Sequence, residues 1–327
     1  MAHKYRDEVV GKRFLSVSAS SKLKLSKISE WGWKAGVIRA ATHKDNTNKD
    51  LQVLVEYDGL EWQKREWVSV YREDMFKVFM VESGLYWARR PNPHGSGTLL
   101  WPALKFTTLV ARVDLKGLQP LEFLHDQYLL FSSDSQLQPY KEWDPGLAGG
   151  LRGQAAAEVR EAARVWCEAQ DGQRILLTTP SVLVGYRVQV YRSEGTTQFY
   201  TAVIVGYNET NRELTVTDDT VLEEHNEDPC LLQMRLIGDG VVESIMRGEE
   251  VGITPRRSRS SVAATPNHFP PTARRRGGES GHQHHQHQLQ SQGEVRKLRR
   301  NHIVQTTPSS NNNKGKKSSE VKFLMCC

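Results

Sequence analysis

Residues 84–106 read GLYWARRPNPHGSGTLLWPALKF, and the fold is decided there. In GLYWARR, Leu85 and Trp87 alternate with Tyr86 and Ala88, the period-two pattern of a strand with two distinct faces. Pro91, Pro93, Gly95 and Gly97 supply a turn, since proline fixes φ and glycine tolerates positive φ. Trp101-Pro102-Ala103-Leu104 then opens a second strand that returns beside the first. An isolated hairpin is marginal in water, so more strands must flank it.

Those strands are legible on both sides. Toward the N-terminus, residues 9–15 form a first strand and residues 31–38 a second. Residues 51–59 form a third, with Leu51, Val53, Val55 and Tyr57 on one face. Asp58-Gly59 is a hairpin signal, and residues 66–70 pair back. Toward the C-terminus, residues 120–126 and 128–131 read as strands, and residues 137–140 close the unit. Residues 153–170 are rich in alanine and carry Val159, Ala162, Ala163 and Trp166 as one apolar stripe, which predicts a helix. This helix either completes the central unit or connects it to the third. Residues 181–237 repeat the first pattern: Val184-Gly185-Tyr186-Arg187-Val188 echoes Val10-Gly11-Lys12-Arg13-Phe14. A period this long means two copies of one module rather than a solenoid.

Charge divides the chain. Residues 254–327 hold 14 Lys/Arg against 3 Asp/Glu, so residues 1–253 hold 30 against 35. The basic balance therefore belongs to a C-terminal stretch, with Arg256, Arg257, Arg259, Arg274, Arg275 and Arg276 in its first clusters. So few apolar residues there leave the entropy of ordering unopposed, and disorder is expected. No apolar run is long enough for a membrane helix. Cys167 and Cys230 are isolated and Cys326-Cys327 terminal, which gives no disulfide framework or zinc spacing and suits a reducing, intracellular compartment.

The hairpin pattern, Leu85-Tyr86-Trp87-Ala88-Arg89 followed by a turn and Trp101-Pro102-Ala103, resembles the opening of a PWWP domain. The flanking copies resemble Tudor domains. In order and spacing, residues 1–253 resemble the N-terminal region of the jumonji (JmjC) histone demethylases of the lysine-nine-specific, hairless-related subfamily. The expected fold is mainly β: three small SH3/Tudor-like barrels, the central one PWWP-like with a helical extension, then a disordered basic tail. The expected bounds are 1–80, 81–178, 179–253 and 254–327.

The resemblance implies a nuclear chromatin regulator that engages histone tails. Methyl-lysine needs aromatic faces and a carboxylate around its ammonium. The positions matching the PWWP cage are Trp101, Phe123 and Asp126; Thr98 stands where one further aromatic is expected. A Tudor-type cage in the first module would use Trp33, Tyr57 and Trp62 with Asp58. Both sets fit barrel core as well as a cage. Arg89, Arg90 and Lys105 stand where the family places cations on DNA phosphate, contacts that carry affinity without sequence specificity.

The family's Fe(II) and 2-oxoglutarate would belong to a catalytic domain outside this sequence, and the chain itself is expected to need no cofactor or metal. His43-Lys44-Asp45 and His225-Asn226-Glu227 match the His-x-acid part of a facial triad, but both fall in polar loops. The tract His282, His284, His285 and His287 is a loose metal binder at most. Two alternatives stay open. One is a rigid scaffold for other transcriptional regulators without a histone pocket. The other is a nonspecific nucleic-acid binder acting through the arginine-rich stretch.

Overall fold

The computed structural model describes residues 8–93, 95–133, 137–249 and 323–325. Five strands open the chain: β1 (Arg13–Ser18), β2 (Lys34–Ala41), β3 (Gln52–Tyr57), β4 (Glu66–Ser69) and β5 (Phe76–Pro91). They run antiparallel in the order β4-β3-β2-β1-β5. The alternating apolar residues seen in the sequence point inward: Phe14, Val53, Val55 and Phe79 are fully buried, with Phe14 stacked on Phe79 at 5.3 Å. Each such side chain contributes about 1.5–3 kcal/mol on burial. Gly36 permits the β2–β3 crossing, because a Cβ there would lie 2.2 Å from the Glu56 carbonyl oxygen.

The hairpin anticipated at residues 84–106 is the distal half of a longer one. β5 runs for 16 residues and β6 (Thr98–Ala111) for 14, paired along their length. The register shifts between Phe79/Met80 and between Glu82/Gly84. Such bulges bend and twist a strand. The first half of β5 thus serves β1, and the second half serves β9 (Gln138–Pro139). β7 (Gln119–Phe123) and β8 (Leu129–Ser132) extend the sheet beyond β6. One strand therefore runs straight through residue 80, where the sequence pattern places a boundary.

α1 (Gly153–Thr178) is 26 residues long and continues past the expected end at residue 170. Its early turns bury Val159 and Ala163 in the core of Trp87, Trp101 and Phe123. Its last turns bury Ile175 and Leu176 in the next core. That is why the helix does not stop: its C-terminal apolar residues have a second surface to cover. The helix serves both the central unit and the third.

The third module is a separate sheet of β10 (Arg187–Tyr191), β11 (Phe199–Asn208), β12 (Glu213–Asp218), β13 (Glu224–Glu227) and β14 (Met234–Leu236), in the order β13-β12-β11-β10-β14. A short helix, α2 (Val241–Met246), comes after it. The fold is mainly β, as the patterning predicts, but the first and central modules share one continuous sheet through β5 instead of forming two separate barrels. The C-terminal end carries no pattern of a regular element. Even so, β15 (Phe323–Met325) lies parallel to β8, whose outer edge offers unpaired backbone groups. The rest of the predicted basic tail lies outside the described residues.

The described residues fall in one compact unit. The third module docks on β2 by backbone hydrogen bonds, Ala41 N–H to Leu231 O and Gln233 N–H to Arg39 O, both 2.9 Å. Arg39, Glu56, Tyr191, Gln198 and Gln233 form the polar part of that junction.

Candidate functional site

In the central module Ala88 on β5 pairs with Trp101 on β6, and Ala103 pairs with Phe123 on β7. Period-two alternation puts Ala88, Arg90, Trp101 and Phe123 on one face. The β7–β8 turn then folds over that face. Leu124 O accepts the Trp101 indole N–H at 2.8 Å, and the turn brings in Asp126 and Tyr128. Trp101, Phe123 and Asp126 do converge, as the resemblance to a PWWP cage implies.

The group that fills the space between them is one the sequence reading assigns elsewhere. The Arg90 guanidinium carbon lies 4.5 Å from the Trp101 ring, 4.5 Å from Tyr128 and 5.0 Å from Phe123. Its two terminal nitrogens donate to the two Asp126 carboxylate oxygens, each at 2.8 Å. Arg90 is 4% exposed, Trp101 2% and Phe123 0%. Arg90 Nε has no hydrogen-bond partner. Three aromatic faces and a carboxylate around a cation are the elements of an ammonium cage, with the cation supplied by the chain itself.

This corrects the expectation that Arg90 faces DNA phosphate. Of two adjacent strand residues only one can face out: Arg89 is exposed and Arg90 is buried. Lys105 is half-buried, with Nζ 5.9 Å from the Tyr86 ring. Thr98 is exposed at the start of β6. Tyr128 escapes the sequence reading; its signal is an aromatic two residues past Asp126, on the far side of a tight turn.

The residues expected to form a cage in the first module do not meet. Trp33 packs on Trp31 at 6.1 Å and on Phe131 of β8 at 5.1 Å, donating its indole N–H to Ile28 O. Tyr57 packs edge-on against Phe14, and burial together with the nearby Glu66 raises its pKa. Trp62 stacks under Arg65 at 4.8 Å. Asp58 bonds Arg13, which also holds the buried Glu122. Packing on Trp31 and Phe131 holds Trp33 away from a cage with Tyr57 and Trp62.

The third module carries arginine–aromatic pairs that the sequence reading does not single out. Arg192 lies 4.5 Å over Tyr200 and bonds Asp218 at 2.8 Å; its Nε also lacks a partner. The Tyr200 hydroxyl donates to Glu227, whose pKa burial raises. Arg39 of β2 reaches across to Tyr191 at 5.6 Å and Phe199 at 5.8 Å.

The residues present do not fit a facial triad, and His225-Asn226-Glu227 lies on the strand β13 rather than in the expected loop, because it pairs with β12. His43 Nδ1 bonds Thr42, Asp45 is held by Thr47, and Glu227 is held by Tyr200. Among the described residues no cluster of three His, Cys, Asp or Glu could hold a metal ion. Arg256, Arg257, Arg259, Arg274, Arg275, Arg276, the histidine tract and Cys326-Cys327 lie outside the described residues. No described helix is long and apolar enough to cross a membrane.

Three family models match the chain: a domain of unknown function over residues 8–67, the PWWP domain of lysine-specific demethylase 3B over 79–173, and its tudor domain over 175–250. The chain is 41% identical over 282 residues to the human probable JmjC domain-containing histone demethylation protein 2C, covering 82% of this chain and 11% of that protein. It is 32% identical over 242 residues to mouse lysine-specific demethylase 3A, covering 72% and 18%. The human lysine-specific demethylase 3A is 30% identical over 258 residues, covering 76% and 19%. The chain thus spans between a tenth and a fifth of the length of these relatives.

Proposed function

We propose that this chain, which belongs to the lysine-specific demethylase 3 family of JmjC-type histone demethylases, is the non-catalytic N-terminal part through which such a protein engages chromatin in the nucleus. Its PWWP and tudor modules make it chromatin-associated; the ligand we assign is a histone tail carrying methyl-lysine, taken at Trp101, Phe123, Tyr128 and Asp126. One observation supports this above the rest: three rings and a carboxylate enclose a cation at 4.5–5.0 Å. Cation–π attraction is short-ranged and strengthens on desolvation, so a site with this lining favours a cation over a neutral group.

DNA contact, in this reading, is weak and sequence-blind, made by exposed Arg89 and the arginine clusters beyond residue 254. Demethylation with Fe(II) and 2-oxoglutarate belongs to the full-length family.

The test is a titration of the chain with histone-tail peptides bearing unmodified, mono-, di- and trimethylated lysine, followed by calorimetry or NMR. Weak, methylation-dependent binding is expected, at about 0.1–1 mM, or roughly −5 to −4 kcal/mol. Asp126→Asn should weaken it without unfolding the module, since Asp126 sits at the exposed mouth. Equal response to all four peptides, or none, sinks the assignment. A second reading, a rigid scaffold without a histone pocket, draws on the deep burial of Trp101 and Phe123. It gains ground if no peptide binds and partners instead compete for the outer surface.

A further inference from the structure

The central aromatic site is filled, and by a group that competes with any ligand of the proposed kind. We propose that Arg90 is a displaceable occupant: the chain's own guanidinium closes the site at rest, and a methylammonium cation enters only as Arg90 leaves. This rests on the reading of the site as a methyl-lysine pocket and concerns how that pocket is controlled.

The geometry makes the competition direct. An incoming ammonium needs the Trp101, Tyr128 and Phe123 faces and the Asp126 carboxylate. Arg90 lies over all three rings within 5.0 Å and holds both carboxylate oxygens. Two cations in one low-dielectric space repel each other strongly. A single small site cannot hold both.

Three features make the occupant removable. Arg90 Nε–H is buried with no partner, so the closed state leaves one donor unsatisfied that bulk water would satisfy. The Asp126 side chain is 36% exposed, so the ion pair opens to solvent on its acidic side. The β7–β8 turn that carries Asp126 and Tyr128 is built on His125 at φ 80° and Gln127 at φ 53°, left-handed conformations that non-glycine residues adopt at a cost. Arg90 also stands directly before Pro91, the last residue of β5, with the exposed hairpin tip beyond. The side chain can swing toward that tip while the Ala88–Trp101 pair stays in place. The third module repeats the chemistry: Arg192 lies over Tyr200, bonds Asp218 and has an unpartnered Nε, but is 35% exposed, a cover rather than a plug.

An occluded site binds with its intrinsic affinity reduced by the fraction of molecules that are open. If about one molecule in ten is open, removing the occupant tightens binding roughly ten-fold. The experiment titrates the full chain and its Arg90→Ala variant with tetramethylammonium and with a trimethyllysine peptide. The Trp101 indole N–H resonance reports binding, and a melting curve checks each variant. The expected result is at least ten-fold tighter binding by Arg90→Ala, with the gain lost on adding Tyr128→Ala. Equal affinity of the two chains overturns displacement while leaving the pocket assignment standing. Absence of binding by a folded Arg90→Ala chain overturns both. Should Arg90→Ala not fold, the unaltered chain gives the answer through the Arg90 Nε–H resonance. Ring currents displace that resonance at rest, and saturating tetramethylammonium should move it to the position of a solvated arginine. Probe binding that leaves it unmoved overturns the proposal.

Discussion

Glu56 is the place where the first and third modules can be uncoupled by one substitution. Its carboxylate accepts from Arg39 Nε at 3.1 Å and a terminal nitrogen at 2.9 Å, from Tyr191 Oη at 3.1 Å, and twice from Gln198 Nε2 at 2.8 and 2.9 Å. Glu56→Ala leaves Arg39, 9% exposed, with only the Gln233 oxygen at 2.7 Å and the Tyr191 and Phe199 rings. Removing one partner of a buried pair costs about 3–5 kcal/mol. Since Glu56 is 14% exposed and the residual contacts hold Arg39, about 3 kcal/mol is expected. The double change Arg39→Met with Glu56→Met should cost far less, because no charge is left buried and alone.

All 8 tryptophans precede residue 170, so tryptophan fluorescence follows the first two modules while far-UV circular dichroism follows the whole chain. Urea curves from the two probes should coincide for the parent and separate for Glu56→Ala. Coincident curves with a loss under about 0.5 kcal/mol, within the range of an ordinary surface change, would refute the coupling. The junction also carries a pH signature. Burial alone would raise the Glu56 pKa, but Arg39, Gln198 and Tyr191 hold it below the usual value. A depressed folded pKa gives stability that is present above the unfolded value and lost as pH falls through the folded one. The two probes should therefore begin to diverge in the parent as pH falls from the ordinary carboxylate value toward the lower folded one.

Trp101→Ala should cost about 3–5 kcal/mol in urea denaturation, because the ring is 2% exposed; a loss below about 1 kcal/mol would show that it is a surface platform. Gly36→Ala should lower the melting temperature by several degrees or prevent folding, since its Cβ meets the Glu56 carbonyl backbone; an unchanged melting curve contradicts the close approach. Glu227→Gln should stabilise the chain at neutral pH. Burial raises the folded pKa of Glu227, so the parent loses stability as pH rises from the ordinary carboxylate value through the folded one. The advantage of the variant should vanish below that window, and a pH-independent difference would contradict the assignment.

Local pattern carried much of this. The alternation of Leu85 and Trp87, the turn, and the return at Trp101 place the hairpin, while the grouping of Trp101, Phe123 and Asp126 comes from the resemblance to a PWWP cage. The features that escaped it depend on distant contacts. The helix expected to end at residue 170 continues through Gly172 because its last turns bury Ile175 and Leu176 in the core of the third module. Trp33 reads as part of its own module because nothing local announces Phe131 as its neighbour. The continuity of β5 is legible in principle, since residues 76–91 are rich in β-formers, but a boundary drawn by module likeness cuts across it. Arg90 misleads for a simpler reason: adjacent arginines read as one basic patch, although a strand sends them to opposite faces.

The buried rings and their arginines separate two questions that a ring deletion confuses. Trp101 and Phe123 are both core and cage, so removing either changes stability and affinity together. Arg90 is different, because a partly wet ion pair with Asp126 holds it and one of its donors is unsatisfied. Removing Arg90 leaves behind an Asp126 carboxylate that is 36% exposed and can be hydrated, rather than a charge buried and alone. Substituting Arg90 therefore alters access to the site with a smaller effect on the fold, whereas substituting the rings alters both. The same logic extends to Arg192 and Tyr200 in the third module, where the higher exposure of the arginine predicts a smaller gain on its removal. An affinity gain that tracks the burial of the removed arginine, large at Arg90 and small at Arg192, is a pattern that neither simple packing nor an open cage would produce.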